Sequence, residues 1–68
     1  MKIVFSGKRD KRLEARLELN NHMIESFINE SIDFVIKDDQ KDDRKIAQAE
    51  KLEIPIVTSH EFKEMFGY

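Results

Sequence analysis

The sequence predicts an α/β fold: a four-stranded, mainly parallel sheet with helices on both faces, in three α/β/α layers. Two observations carry this expectation. The runs Ile3-Val4-Phe5, Phe34-Val35-Ile36 and Ile54-Pro55-Ile56-Val57 are continuously apolar, as strands are when both of their faces are covered, whereas a strand with one wet face alternates. The stretches between and after them are charged and repeat their apolar residues at three- and four-residue intervals, the spacing of a helix with one buried side. The elements follow in the order β-α-β-β-α-β-α, and parallel neighbours follow from the intervening helices.

Residues 2 to 6 are the first strand, a short β-branched and aromatic run ended by Gly7. Residues 10 to 19 are the first helix. Leu13 and Leu17 stand four apart, as do Ala15 and Leu19, so one side can pack inward, and Asp10 is placed to cap it. Asn20-Asn21 turns the chain back, asparagine being the non-glycine residue most tolerant of positive φ. His22-Met23-Ile24 is a short second strand suited to a sheet edge, and Asp33 to Lys37 the third. The run Asp38-Asp39-Gln40-Lys41-Asp42-Asp43 is a solvated loop, because no core holds four carboxylates with one lysine among them. Its last two aspartates suit the positive end of the next helix dipole. That helix covers about Asp43 to Leu52, with Ile46, Ala49 and either Leu52 or Glu53 on successive turns, and Ile54 to Val57 are the fourth strand. Thr58-x-x-Glu61 is a capping box opening a last helix, in which Phe62, Met65 and Phe66 recur at helical spacing and read most simply as core.

Composition bounds the answer further. A chain of 68 residues suits one small domain over 1–68, with a net stability of about 3 to 5 kcal/mol. It contains no cysteine, so it has neither disulfides nor thiolate ligands, which a reducing cytoplasm permits. No apolar run approaches the roughly 20 residues that span a bilayer, and the amino-terminal segment reads as a strand rather than a signal peptide. These points lead to the expectation of a cytoplasmic protein with no membrane association. The formal net charge is −2, but residues 1 to 21 carry six Lys or Arg against three acids, and residues 22 to 68 six against eleven. A local basic patch attracts phosphate even on an acidic protein, and the basic part is the one holding Ser6-Gly7.

The chemistry-bearing pattern is Ser6-Gly7 at the end of a buried strand, with Lys45 opening a helix elsewhere in the chain. A hydroxyl and a flexible backbone can hold an anionic oxygen while a lysine supplies the opposing charge. The bland alternatives stay beside it: a small residue and a glycine end many buried strands, and a lysine near a helix start is commonly an exposed one. Lys8-Arg9-Asp10-Lys11-Arg12 adds four cations just past the glycine, which is either a solvated face or an extension of a phosphate site. Other chemistry is thin. The acidic run lacks the glycine and terminal glutamate of a calcium loop, and His22 and His60 have no metal-ligand spacing. There is no Walker loop and no nucleophile elbow, so neither a cofactor, a metal nor an enzymatic activity is expected.

Five segments in order resemble the BRCT domain, a phosphate-recognition module of DNA replication and repair proteins. They are Ile3-Val4-Phe5-Ser6-Gly7, Arg12-Leu13-Glu14-Ala15-Arg16, Ser31-Ile32-Asp33-Phe34-Val35-Ile36, Lys45-Ile46-Ala47-Gln48-Ala49-Glu50-Lys51-Leu52, and Ile54-Pro55-Ile56-Val57-Thr58-Ser59-His60-Glu61-Phe62. The chain departs from the family in having Asn20-Asn21 where Gly-Gly is usual, a first helix about one turn shorter, and no tryptophan in the last helix. The phenylalanine there is similar to the type found in NAD-dependent DNA ligases and the clamp-loader large subunit, which favours DNA over phosphopeptide. The resemblance implies that Ser6, Gly7 and Lys45 contact phosphate, with Arg12 or, given the shortened helix, Arg9 assisting. It implies a non-catalytic module binding a DNA 5′-phosphate end or backbone in the company of replication and repair proteins.

Two other readings remain. One is a protein-interaction module that either reads a phosphoprotein or pairs with another BRCT surface; readers of phosphopeptides usually work in tandem, and a lone domain lacks the second pocket unless it forms a homodimer, for which the last helix with Tyr68 is the candidate surface. The other is a reduced nucleotide-binding fragment, against which stands the lack of a G-x-G-x-x-G turn.

Overall fold

The computed structural model describes residues 1–7, 9–38 and 44–68. Its elements run β1 (Lys2–Gly7), α1 (Lys11–Leu19), β2 (Met23–Glu25), β3 (Phe34–Asp38), α2 (Arg44–Lys51), β4 (Ile56–Val57) and α3 (Ser59–Phe66). The four strands form one sheet in the order β2-β1-β3-β4, every pair parallel. The expected α/β fold and order of elements are those observed, and "mainly parallel" becomes entirely parallel.

Alternation along each strand divides the core between the two faces. Ile3, Phe5 and Ile36 pack with Leu13, Leu17 and Phe62, so α1 and α3 cover one face. Val4 and Val35 pack with Ile32, Ile46, Ala49 and Ile54, so α2 covers the other. The link from β2 to β3 returns to the amino ends of the strands across the α2 face, where Ile28 and Ile32 join that cluster. Asp33 anchors its end by accepting from the Lys2 amide at 2.8 Å while its own amide donates to the Lys2 carbonyl at 2.8 Å.

Helix ends follow local chemistry. The Asp10 side chain accepts from the Leu13 amide, capping α1, and Thr58 with Glu61 closes the expected capping box on α3. At their carboxyl ends all three helices pass into a left-handed residue: Asn21 (φ 65), Glu53 (φ 58) and Gly67 (φ 73). After α1 the His22 amide donates to Leu17 and the Asn21 amide to Glu18. After α2 the Ile54 amide donates to Ala49 and the Glu53 amide to Glu50. Both patterns are Schellman closures, which satisfy carbonyls otherwise left over at a helix end.

Several boundaries and faces differ from expectation. β2 and β3 lie one residue later than read, and β4 is only Ile56–Val57, because Ile54 is spent closing α2 and Pro55 contributes only its carbonyl, to Val35 at 3.0 Å. Leu19 is 82% exposed, Met65 55% and Phe66 42%: on helices this short only one narrow side meets the sheet, and Leu13, Leu17 and Phe62 fill it. Leu52 is 44% exposed, since Ile54 takes the inward place after Ala49. Asp38 ends β3, paired in register with Gly7, rather than opening a loop; the reading of 39–43 as a solvated acidic loop falls outside the described residues. No helix among the described residues is long and apolar enough to cross a membrane.

Candidate functional site

The order β2-β1-β3-β4 places a topological switch between β1 and β3. From β1 the chain leaves through α1 on one face toward β2; from β3 it leaves through α2 on the opposite face toward β4. At such a point the two connections diverge and open a crevice at the carboxyl ends of the strands, where open α/β sheets bind ligands. Ser6 and Gly7 end β1 at that crevice, paired with Lys37 and Asp38 of β3.

Ser6 is 2% exposed, the one polar residue of the described core. Strand alternation puts its side chain on the face of Val4, the α2 face. The hydroxyl has no hydrogen-bond partner among the described residues, and a buried polar group without a partner costs roughly 1 to 3 kcal/mol. Gly7 follows at φ 90, in the left-handed region where an L side chain is strained. Lys45 lies in the first turn of α2, half-buried, and its Nζ donates to the Phe5 carbonyl at 3.4 Å. Lys45 thus meets the backbone of β1 at Phe5, 40 residues away in sequence and just before Ser6 and Gly7, so that strand end carries a hydroxyl, a backbone turn that only glycine adopts freely, and a cation on a long hydrogen bond.

The two arginines stand elsewhere. Arg9 is held by Glu14 at 3.0 Å, in a shallow groove it shares with Glu18, His22 and Ser26 toward β2. Arg12 is on α1, across the sheet from α2, in a cleft with Arg16, Lys63 and Tyr68. At the start of α1, Asp10 also takes an ion pair from Lys63 at 2.8 Å. The Lys63 hydrogen bond and then the Leu13 amide hold the Asp10 carboxyl below the usual carboxylate range.

The cleft of Arg12, Arg16, Lys63 and Tyr68 was not evident from sequence. The four-residue step from Arg12 to Arg16 was its one local sign, and the opposite wall comes from the far end of the chain. No protein-family model matches the chain, and comparison with curated proteins and with solved structures likewise gives no match. The likeness to BRCT domains rests on the order of the five sequence segments.

Proposed function

We propose that the chain is a non-catalytic phosphate-recognition module of the BRCT kind, binding the 5′-phosphate end of DNA at the carboxyl end of β1. The observation that carries this reading is the buried Ser6 hydroxyl, without a partner among the described residues, beside the glycine turn and Lys45. A phosphate oxygen would accept from the Ser6 hydroxyl and the Gly7 amide, and Lys45 would exchange a long bond to a neutral carbonyl for one to an anionic oxygen. Arg9, two residues beyond Gly7, joins only by giving up Glu14; Arg12 reaches DNA outside the phosphate pocket. The setting on this reading is DNA replication or repair in the cytoplasm.

A fluorescent duplex with and without a 5′-phosphate tests it by anisotropy. The phosphorylated end should bind at least 10-fold tighter, and Lys45→Ala should abolish the difference. Equal affinity for the two ends sinks the proposal.

One observation favours a protein partner instead: Leu19 at the end of α1, Met23 at the start of the edge strand β2 and Phe27 just beyond it are 82%, 54% and 81% exposed. Isolated exposed apolar residues are ordinary, but large ones close together in sequence at a sheet edge suit an interaction surface, including a homodimer. Concentration-dependent sedimentation that Phe27→Ser abolishes would support that second reading.

A further inference from the structure

The cleft between α1 and the segment following α3 differs in kind from the pocket at the end of β1. Arg12, Leu13, Ala15 and Arg16 line one side and Lys63 and Tyr68 the other, around about 480 Å³, with no Asp or Glu side chain in the lining. Arg12 and Arg16 have no ion-pair partner among the described residues. Of the acids along these elements, Glu14 pairs with Arg9, Asp10 with Lys63 and Glu64 with His60, and Glu18 lines the groove of Arg9. The Tyr68 ring is stacked on Phe62, 13° from parallel with centroids 6.0 Å apart, and the Tyr68 amide donates to the Lys63 carbonyl at 2.9 Å. One face of the ring is therefore backed by the core while the residue still lines the cleft.

We propose that this cleft binds single-stranded nucleic acid, one base stacking on Tyr68 and neighbouring phosphates meeting Arg12 and Arg16. The two arginines stand one helical turn apart, with Cβ atoms about 5 to 6 Å from each other, so they follow a strand running along α1. A fixed aromatic platform beside arginines with no ion-pair partner among the described residues is a combination that holds single strands without regard to sequence. An acidic peptide satisfies the arginines but leaves the ring unused, and a duplex keeps its base faces stacked inside. The cleft is on the opposite side of the sheet from Ser6 and Lys45, and the proposal is independent of the phosphate pocket.

Tyr68 is the only tyrosine and the chain has no tryptophan, so its fluorescence reports this cleft alone. Titration with a short oligothymidylate lacking a 5′-phosphate, corrected for absorption against free tyrosine, should give saturable quenching. The affinity should fall with salt at a logarithmic slope of about −1.4, the value for two phosphates on a single strand. Inorganic polyphosphate should bind without quenching. With a fluorescein-labelled strand read by anisotropy, Tyr68→Leu should weaken binding roughly 5- to 100-fold, the range for loss of one stacked base. Arg12→Ala with Arg16→Ala should weaken it at least 10-fold and flatten the salt slope, with circular dichroism confirming the fold. Absence of quenching, equal quenching by polyglutamate, or binding indifferent to both cleft variants overturns the proposal.

Discussion

On the face covered by α1 and α3, the sheet meets Leu13, Leu17 and Phe62, and Phe34, Phe66 and Tyr68 pack their rings around Phe62. On the face covered by α2 it meets Ile46, Ala49 and Ile54 and, where β1 ends, a serine. The first face is aromatic and its two helices carry side-chain caps; Lys63 of α3 reaches back to the cap of α1. The second has smaller side chains and spends its last buried position on a hydroxyl. A domain of this size has little stability to divide, and the contrast lies in how the two faces are filled: one with large apolar and aromatic side chains, the other ending in a buried hydroxyl that has no partner among the described residues. On the proposed reading, that hydroxyl is kept for a ligand at a cost in stability.

The comparison breaks most readily at Phe62. Phe62→Ala should cost about 3 to 5 kcal/mol, comparable to the whole stability of so small a domain, and leave the chain largely unfolded at 25 °C by circular dichroism. If the variant melts near the parent temperature, the first face does not hold the fold. Asp10→Ala removes both a helix cap and the partner of Lys63, and should cost about 0.5 to 2 kcal/mol in urea unfolding. The same residue sets a pH dependence. Its carboxyl titrates lower in the folded chain than in the unfolded one, so its contribution is complete above the unfolded value near 4 and is lost as pH falls through the lower folded value. A melting-temperature profile from pH 6 to 2 should therefore decline less steeply in Asp10→Asn than in the parent, and parallel profiles would remove Asp10 from the account.

On the second face the expected sign reverses. Ser6→Ala should raise stability by about 1 kcal/mol, because it removes a buried hydroxyl that has no partner among the described residues, while it weakens phosphate binding. A loss of stability would mean that the hydroxyl serves the fold. The smallest effect is at the end of α2, where Glu53 holds a left-handed conformation. Glu53→Gly should stabilise by about 0.5 to 1 kcal/mol, read as a higher midpoint in urea.

Much of this architecture was legible because it is written in local chemistry. The continuous apolar runs marked β1 and β3, Thr58 and Glu61 marked the start of α3, and Asn21 marked the turn after α1. Glu53 was not legible, since glutamate carries no signal for a left-handed turn; Ile54 was therefore read as strand when it closes the helix. The exposure of Leu19 and Met65 was hidden for another reason: spacing tells which residues share a side, not how wide a side the sheet will cover. The pattern of Ser6, Gly7 and Lys45 is visible in sequence, and Lys45 bonds the Phe5 carbonyl just before the other two. The cleft beside Tyr68 could not be read that way, because its two walls meet only through the packing of α1 against α3.

The most direct test of the central claim is an amide chemical-shift titration of the 15N-labelled protein with a short duplex bearing a 5′-phosphate, against the same duplex without it and against Lys45→Ala. The account predicts shifts centred on Ser6, Gly7 and Lys45 that require the phosphate and disappear in the variant. Identical shifts with both duplexes, or none at these residues, would contradict it and leave the buried serine without a ligand.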